Sequence, residues 1–359
     1  MSLNPIRTGL VSFGISSRTF HAPFLTTMPE FELVKVMERN GNESEKKYPG
    51  VIAVRSLDEL LADETIELIV ITSPNETHHT YAIAAMEAGK HVVVEKPFAN
   101  NSKEAMEMVE TSHRTGKICS VYQNRRYVTD FLTMRKILDE KLLGEVHEFD
   151  AHYDRYRPLP RTYGTWREDD IPGSGVFFDL GPHLIDQSLC FFGLPQRIHA
   201  DIRRQKPYSK VDDYFDIRLD YGWLKVLLKS SMLVREMGPR YMIHGTLGSY
   251  IKSGEDPQED RLKAGELPIG EDWCYESEDT YGLLHTEIDG KPVREKYPSL
   301  RGNYAGFYAN MHASIRNNAP VSEKPEHGFN VIRIIELAFE SSAVQCSIPC
   351  TGLIPTTYR

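Results

Sequence analysis

Three consecutive valines, Val92 to Val94, end abruptly at Glu95, Lys96 and Pro97. An unbroken β-branched run predicts a strand that is buried on both faces, as strands of parallel sheets are. Lys96 then lies at the carboxyl end of that strand, which is the edge where open α/β sheets bind ligands. Pro97 has no N–H and fixes the turn that follows. We therefore interpret Lys96 as a candidate functional residue; the alternative is a lysine that merely ends a strand in solvent.

Similar apolar runs alternate with helical segments along the first third of the chain. The strand-like runs are residues 10–13, 33–37, 68–71, 92–94 and 118–121, and the helical segments include residues 56–62 and 77–88. This alternation predicts an α/β fold with a doubly wound parallel sheet. We assign residues 1–121 to a dinucleotide-binding Rossmann domain.

The pattern changes after residue 121, where strand-like runs follow one another with few helices between them. These runs are residues 196–202, 214–219, 224–228 and 241–244, and the predicted helices are residues 131–143, 178–192, 304–316 and 331–344. Strands without intervening helices favour an antiparallel sheet. We assign residues 122–359 to an α+β domain for substrate binding and oligomerisation, built on a large, mainly antiparallel sheet. Residues 254–301 are predicted to form long surface loops with a short hairpin at most.

Composition excludes several classes of protein. A chain of 359 residues with 40% hydrophobic residues is long enough for two domains. A net charge of −9 gives no basic surface for nucleic acid or for a membrane. The five cysteines form no CxxC pair, and no signal peptide or membrane-length apolar run is evident. We expect a cytoplasmic protein, and, because an antiparallel sheet leaves one face open, a homodimer or homotetramer.

The first strand is followed by a degenerate glycine turn. Aligned with G-x-G-x-x-G, the chain has Ser12, Gly14 and Ser17, with Phe13 between the first two. Gly14 occupies the position that lets backbone N–H groups approach a pyrophosphate, and the two serines are small enough for a tight turn. The alternative is an ordinary turn between a strand and a loop.

The second strand is followed by Glu38 and Arg39, where a dinucleotide fold presents the side chain that selects its cofactor. Glu38 would accept hydrogen bonds from a ribose diol and favour NAD, whereas Arg39 would pair with a 2′-phosphate and favour NADP. Solvated loop charges are the alternative.

The loop after residue 71 contains Ser73, Pro74, Asn75 and His78, at the same predicted sheet edge as Lys96. Asn75 is suited to cap the following helix, a purely structural role. His78 is a candidate to face the cofactor.

A further group of candidate residues comprises Asp179, His183 and Asp186. If a helix begins near Asp179, the spacing i, i+4, i+7 places all three on one face. A histidine beside a carboxylate suits proton transfer near neutral pH. The alternatives are that Asp179 caps the helix, or that the Asp and His residues bind a metal; no third ligand at suitable spacing supports a metal site.

Several motifs along the chain together resemble one enzyme family. They are the degenerate glycine turn followed by Phe20-His21-Ala22-Pro23-Phe24, Ser73-Pro74-Asn75 with His78, Glu95-Lys96-Pro97, Tyr122-Gln123-Asn124-Arg125-Arg126 and Asp179-x-Gly181-x-His183. This combination resembles the glucose-fructose oxidoreductase / inositol dehydrogenase / MocA (Gfo/Idh/MocA) family, and within it the NADP-dependent scyllo-inositol 2-dehydrogenases. Ser12 and Ser17 depart from the glycine motif, and Glu38 stands where that subgroup often has a small residue.

The resemblance implies an NAD(P)-dependent oxidoreductase that acts on a secondary alcohol of a cyclic polyol or sugar. It implies a catalytic group of Lys96, Asp179 and His183 and no metal. The residues expected near the substrate are Tyr122, Asn124, Arg126, Trp166 and Arg167. The residues expected near the cofactor are Ser12, Phe13, Gly14, Ser17, Glu38, Arg39, Ser73, Pro74, Asn75, His78, Glu95 and Lys96. NADP is favoured over NAD, and small molecules, not nucleic acid or membranes, are the expected partners. The alternatives are a non-catalytic NAD(P)-binding sensor on the same fold and, less consistent with the residues, a metal-dependent hydrolase.

Overall fold

The computed structural model describes residues 4–161, 165–270 and 273–358. The chain divides into two compact units of three segments each. The first unit is Met1–Asn124, Pro257–Trp273 and Asn303–Phe329, and the second is Arg125–Asp256, Cys274–Gly302 and Asn330–Arg359. The sequence suggested two contiguous domains that meet at residue 121. In the structure the first segment ends at Asn124, and two later segments also belong to the first unit.

The first unit contains a six-stranded parallel sheet in the order β3-β2-β1-β4-β5-β6. Its strands are β1 Ile6–Val11, β2 Phe31–Met37, β3 Ile52–Val54, β4 Leu68–Ile71, β5 His91–Val94 and β6 Cys119–Val121. The residues of β4 and the three valines of β5 are buried. The strand order reverses between β1 and β4, so the loops after these strands form the edge where such sheets bind ligands. The prediction of a doubly wound parallel sheet is confirmed.

Helices surround this sheet. They are α1 Ala22–Thr27, α2 Glu43–Lys47, α3 Leu57–Leu61, α4 His78–Glu87, α5 Ser102–Thr115, α8 Gln258–Lys263 and α9 Ala305–Asn317. The segment that contains α9 belongs to the first unit because Phe307 and Tyr308 pack against Tyr122, with ring centroids 4.7 and 6.2 Å away. Arg316 also pairs with Glu67 through two hydrogen bonds of 2.7 Å.

The second unit contains a nine-stranded sheet in the order β14-β13-β12-β11-β7-β10-β9-β8-β15. Its strands are β7 Val146–His152, β8 Arg197–Arg203, β9 Tyr214–Asp220, β10 Lys225–Ser231, β11 Tyr241–Gly245, β12 Ser249–Lys252, β13 Gly282–Ile288, β14 Lys291–Tyr297 and β15 Ile348–Pro349. The pair β7–β10 is parallel and the pairs on either side of it are antiparallel. The predicted large, mainly antiparallel sheet is therefore confirmed.

The hairpin of β13 and β14 is longer than the short hairpin predicted for this region. Both strands are seven residues long and extend the sheet at its edge, in a region predicted to be mostly loop. β14 is largely exposed, so its sequence carries no apolar run that would identify a strand.

The helices of the second unit include α6 Thr129–Asp139, α7 Gly175–Phe192 and the part of α10 Pro325–Val344 that follows Phe329. α7 begins at Gly175, so Asp179 lies within the helix and is not its cap. The carboxylate of Asp212 caps the start of α7 instead, because it accepts a hydrogen bond of 2.6 Å from the Phe177 amide. Across the described residues, no helix combines the length and hydropathy required to cross a bilayer.

Candidate active site

The turn after β1 holds Ser12 in a left-handed conformation, with φ at +82°. The Ser12 amide donates to the Met37 carbonyl at 3.0 Å, and Ser17 Oγ donates to the Ser12 carbonyl at 2.9 Å. Ser17 Oγ also lies 2.6 Å from Thr72 Oγ1, which ties the turn to the chain after β4. Gly14 is exposed, and a Cβ placed on it would come within 3.6 Å of the Ser12 hydroxyl. The turn therefore leaves room for a phosphate near the Gly14 backbone.

Aromatic and cationic side chains lie on one side of this turn. The ring of Phe13 packs edge-on against Tyr48 at 6.2 Å between centroids. The Arg18 guanidinium lies 5.8 Å from the Phe13 ring, and the Lys47 ammonium lies 5.5 Å from the Tyr48 ring. Such a surface suits the base and phosphates of a nucleotide.

Glu38 and Arg39 have different environments, although they are adjacent in the sequence. Glu38 Oε1 accepts hydrogen bonds from the amide of Ser44 at 2.8 Å and from its hydroxyl at 2.5 Å. Glu38 Oε2 accepts one from the Glu43 amide at 3.1 Å. The side chain is only 7% exposed, so Glu38 caps the first turn of α2. Arg39 is exposed to solvent.

His78 links two loops at the carboxyl edge of the sheet. Its Nδ1 lies 2.9 Å from the Pro97 carbonyl oxygen and its Nε2 lies 2.9 Å from the Ser73 carbonyl oxygen. The ring is 1% exposed, and this burial lowers the pKa of His78, although the two carbonyl groups oppose the shift. His78 therefore fixes the loop after β4 against the turn that contains Lys96.

Asn75 does not cap α4. Asn75 begins the 3₁₀ turn Asn75–Thr77, which Pro74 precedes, and α4 starts at His78 with Thr77 before it. Asn75 is buried, and its backbone carbonyl oxygen accepts a hydrogen bond of 3.5 Å from the Asn100 side-chain amide. The extra turn separates Asn75 from the helix that it was expected to cap.

Glu95 anchors the residue that follows it. Glu95 Oε2 accepts a hydrogen bond of 3.1 Å from the Lys96 amide, and Oε1 contacts the Ser16 hydroxyl and His21 Nε2, the latter at 3.0 Å. The other nitrogen of His21 lies 2.6 Å from the Tyr308 hydroxyl. Burial opposes ionisation, but hydrogen bonds from His21 and Ser16 and the charge of Lys96 hold the pKa of Glu95 below its usual range.

Lys96 stands at the carboxyl end of β5, as the sequence predicted, and is half-buried. The Lys96–Pro97 peptide bond is cis. Because Glu95 and His78 hold the backbone on either side of Lys96, its ammonium group projects from a fixed turn.

In the second unit, α7 is continuous from Gly175 to Phe192, so Asp179, His183 and Asp186 share one face. Asp186 is paired: Arg126 Nε donates to its Oδ2 at 2.8 Å and Nη2 donates to its Oδ1 at 2.6 Å. Both partners are nearly inaccessible, at 7% and 2% side-chain exposure. Asp179 is more open, at 20%, and His183 is buried. Arg126 and Asp186 neutralise each other. Asp179 and His183 therefore remain the two residues of this face that are candidates for catalysis.

The other predicted substrate residues differ in accessibility. Tyr122 is buried, and its hydroxyl donates to the Phe20 carbonyl at 2.9 Å. Asn124 begins a 3₁₀ segment and is buried. Arg167 Nε lies 3.8 Å from Asp179 Oδ1. The Trp166 side chain lies outside the described residues.

Sequence reasoning missed His21, Ser16 and Arg161. His21 belongs to a motif that carried the family resemblance, but nothing in the sequence indicated its contact with Glu95, 74 positions away. Arg161 Nη2 lies 3.6 Å from Asp179 Oδ2, a contact across a loop that the sequence does not specify. Within the described ranges, no three His, Cys, Asp or Glu side chains are arranged to hold a metal ion.

A dinucleotide fits the residues at the carboxyl edge of the parallel sheet. The backbone around Gly14 would take the pyrophosphate, Arg39 the ribose end, and the loop at Ser73 the nicotinamide half. The fit rests on the open Gly14 backbone and on the exposed guanidinium of Arg39.

Comparison with known proteins is consistent with this geometry. Residues 6–123 match the family model "Oxidoreductase family, NAD-binding Rossmann fold" and residues 135–347 match "Oxidoreductase family, C-terminal alpha/beta domain", the two domains of the Gfo/Idh/MocA proteins. The chain is 37% identical over 340 residues to scyllo-inositol 2-dehydrogenase (NADP(+)) IolW of Bacillus subtilis, covering 95% of this chain and 94% of that protein. It is 40% identical over 338 residues to the uncharacterized oxidoreductase YdgJ of Escherichia coli, covering 94% and 96%.

A solved structure agrees at the level of the whole chain. The oxidoreductase yvaA from Bacillus subtilis superposes with a TM-score of 0.93 at 37% identity, covering 97% of this chain and 99% of that one. Two family models together span most of the sequence, and relatives above 30% identity match nearly its full length. These matches assign the chain to one family. The chain belongs to the Gfo/Idh/MocA oxidoreductase family and is an NAD(P)-dependent dehydrogenase.

Proposed function

We propose that this enzyme transfers a hydride between a nicotinamide cofactor and a secondary alcohol, or the corresponding ketone, of a cyclic polyol or sugar resembling scyllo-inositol. The observation that carries the proposal is Lys96, a cation at the carboxyl end of β5 on a turn held by Glu95 and His78. The activity named for IolW, which shares 37% of its residues with this chain, supports the substrate class.

The proposed mechanism follows from the movement of charge. A bound nicotinamide supplies the hydride acceptor. His183 takes the proton of the hydroxyl group, since an imidazole exchanges protons near neutral pH. Lys96 stabilises the alkoxide that develops, and removing one such donor typically costs about 10²- to 10³-fold in rate. Asp179 orients the substrate or the His183 ring.

The test is a turnover screen of inositols, inososes and aldoses with NAD and NADP. With an active substrate, Lys96→Met and His183→Ala should each lower kcat by about 10²-fold or more, while cofactor affinity changes little. The double variant should lose less than the product of the two single losses, because groups that act together are not additive. Lys103→Met and His113→Ala, both at exposed positions in α5, are matched controls.

Near-normal turnover in either single variant would contradict the roles of Lys96 and His183. Tight cofactor binding without turnover of any alcohol or ketone would instead favour a sensor on the same fold.

We infer that the cofactor is NADP. Glu38 is the residue that would accept hydrogen bonds from a ribose diol, but its two oxygens already bind the amides of Glu43 and Ser44. Arg39 is exposed beside it and is suited to a 2′-phosphate. NADP(+) in the name of IolW adds support.

Arg39→Ala should weaken NADP binding by about 1–3 kcal/mol and leave NAD binding nearly unchanged, because one charge-assisted contact is lost. The measurement is the dissociation constant of each cofactor by fluorescence titration. The control is Arg7→Ala, which removes the same charge near the amino-terminal end of β1. Arg7 pairs there with Glu32 at 2.7 Å. An unchanged ratio of the two dissociation constants in Arg39→Ala would refute the assignment.

We also propose that the enzyme is a homodimer or homotetramer that associates through the open face of the nine-stranded sheet. Leu227, Asp150, Met242 and Ile251 lie in one row across four strands. All four are half-buried, and on β7 the residues on either side of Asp150 are fully buried. A partly exposed row in which three of four side chains are apolar is typical of an interface.

A second copy suits this face because the face carries both signs of charge. Lys225 pairs with Glu148 at 2.8 Å and Arg218 lies 3.7 Å from Asp216, so two copies can exchange partners. Met242→Glu should convert the oligomer into a monomer in light scattering at micromolar concentration. A wild-type chain that is already monomeric would refute the proposal.

A further inference from the structure

The segment that follows the glycine turn has an uncommon helical geometry. Ser17–His21 forms a π-helical turn, in which the Ala22 amide donates to the Ser17 carbonyl, and the ordinary helix α1 begins only at Ala22. His21 lies at the end of this turn with φ at −124°, outside the usual helical range. A π-helical turn accommodates an additional residue and so redirects the side chains around it, and such turns are frequent at functional sites. The side chain redirected here is that of His21, which is fully buried.

Both ring nitrogens of His21 have partners. Nε2 lies 3.0 Å from Glu95 Oε1, and Nδ1 lies 2.6 Å from the Tyr308 hydroxyl. An ionised carboxylate only accepts hydrogen bonds, so Nε2 carries a proton. Burial, together with the charge of Glu95, raises the pKa of Tyr308, so its hydroxyl keeps its proton. The Tyr308 hydroxyl can therefore donate to Nδ1, which fixes the ring with its Nε2–H directed at Glu95.

Aromatic side chains enclose the His21 ring. The ring centroid of Tyr122 lies 4.2 Å from that of His21, and the Tyr308 ring meets His21 edge-on at 6.2 Å. The Tyr122 hydroxyl donates to the Phe20 carbonyl, within the π-helical turn, at 2.9 Å. Phe307 packs edge-on against Tyr122 at 4.7 Å between centroids. An imidazole enclosed in this way keeps one orientation, and that orientation serves Glu95.

Glu95 connects two parts of the candidate site. Its Oε1 contacts His21 and the Ser16 hydroxyl, and its Oε2 accepts the Lys96 amide at 3.1 Å. Ser16 belongs to the turn that would take the pyrophosphate, and Lys96 carries the ammonium group that would act on the substrate. The Glu95 side chain is only 13% exposed, so its partners, not water, determine where its oxygens lie.

We propose that His21 is a positioning residue for Lys96. Its Nε2–H fixes the Glu95 carboxylate, and the carboxylate fixes the backbone of Lys96 relative to the turn at Ser16. This proposal rests on the proposed function, since it concerns how the same site orients the cation that stabilises the alkoxide. A displacement of about 1 Å in an active site can cost about 10²-fold in rate, so a residue that acts through Glu95 can control turnover.

The test uses two substitutions that each imitate one nitrogen of the ring. The amide of a glutamine reaches about as far as Nε2, and the amide of an asparagine about as far as Nδ1. His21→Gln therefore retains a donor to Glu95, and His21→Asn does not. His21→Asn should lower kcat by about tenfold or more, whereas His21→Gln should stay within about threefold of the wild type.

A double variant shows whether His21 acts through Glu95. Glu95→Gln should lower kcat, because its amide group cannot accept at both former oxygen positions. Adding His21→Asn to Glu95→Gln should cost little more, since residues that act as a unit are not additive. The stoichiometry of cofactor binding, measured by fluorescence titration, shows that each variant is folded.

His113→Asn is the matched control. His113 pairs with Glu326 at 2.8 Å, so it is also a histidine beside a glutamate in the first unit. It lies in the last turn of α5, which leads to the amino-terminal end of β6 and not to the carboxyl edge of the sheet. This variant should keep the kcat of the wild type.

Chemical labelling of Lys96 gives a readout that needs no turnover. The rate of reductive methylation at Lys96, relative to that at the exposed Lys103, is measured by mass spectrometry. His21→Asn should raise this relative rate by about threefold or more, because a turn that is no longer held opens locally and exposes the half-buried lysine. His21→Gln should retain the relative rate of the wild type.

The two proposals fail in different ways. Equal losses of kcat in His21→Gln and His21→Asn, or a fully additive loss in the double variant, would indicate packing alone and overturn the positioning role. Turnover of the wild type would still support the dehydrogenase proposal in either case. If no alcohol or ketone is turned over, the dehydrogenase proposal fails, and labelling decides the role of His21. Faster labelling of Lys96 in His21→Asn alone supports that role, and equal labelling in all three proteins refutes it.

Discussion

The buried pair of Arg126 and Asp186 gives the sharpest test of how this site is built. The family resemblance places Arg126 near the substrate, whereas in the structure its guanidinium group is bound by Asp186 through two hydrogen bonds. Arg126→Ala removes the cation and leaves Asp186 inside the second unit, where Cys190 Sγ, 4.0 Å from Asp186 Oδ2, offers only a weak partner. The variant therefore separates a structural role from a substrate contact.

The expected loss is about 3–5 kcal/mol of unfolding free energy, the usual result of removing one partner of a buried ion pair. Two charge-assisted hydrogen bonds of about 1.5–3 kcal/mol each give about 3–6 kcal/mol, which overlaps this range.

Urea unfolding followed by circular dichroism measures this loss. The double variant Arg126→Met, Asp186→Leu should recover to within about 1.5 kcal/mol of the wild type, since apolar replacement of both partners of a buried pair is often neutral. A loss below about 1 kcal/mol in Arg126→Ala, with a raised KM for substrate, would refute the structural role and support a substrate contact.

Three other predictions concern the first unit. In thermal unfolding, Ser12→Gly should raise the free energy of unfolding by about 0.5–1 kcal/mol, because glycine adopts a positive φ without the steric strain that serine has there. If Ser12→Ala raised the free energy of unfolding by the same amount, this reason would be wrong. Glu38→Ala should cost about 1–3 kcal/mol, because two amides at the start of α2 lose their acceptor, and unchanged stability would disprove the capping role. Burial and the charge of Lys117 lower the pKa of His91 to about 4, so the wild type should lose stability as pH falls from about 6.5 to 4. The His91→Gln variant should lose less stability over that pH interval. An equally steep fall of its urea midpoint with pH would contradict the prediction.

The sequence predicted the parallel sheet because its strands are buried on both faces. The run before Lys96 and the run at 68–71 are continuous and apolar, and both form strands at those positions. The length of the edge hairpin was not predicted, because β14 is largely exposed and lacks such a run. Membership of residues 257–273 and 303–329 in the first unit was not predictable either, since it depends on packing between segments far apart in the chain.

The positions of the candidate residues in the fold were predicted more reliably than their contacts. Spacing alone placed Asp179 and His183 on one helix face, because helical geometry is local. The partners of Glu38, His78 and Asp186 could not be inferred in the same way. His78 and Asp186 contact residues 19 and 60 positions away, and Glu38 contacts a helix start that the sequence did not indicate.

Side chains that bind backbone groups and side chains that reach solvent have different roles in this chain. Both carboxylate oxygens of Glu38 accept hydrogen bonds from amides at the start of α2. Replacing Glu38 should therefore affect stability before it affects cofactor choice. Arg39 is exposed at the adjacent position, so we expect its replacement to leave the fold intact, and it is the position at which we propose to test the choice between NAD and NADP. The same distinction holds in the second unit, where Glu168 binds the backbone of Arg161 and leaves the guanidinium group to face Asp179. Redesign should therefore avoid Glu38 and Glu168, because these acids hold the backbone of the segments that follow Arg39 and contain Arg161.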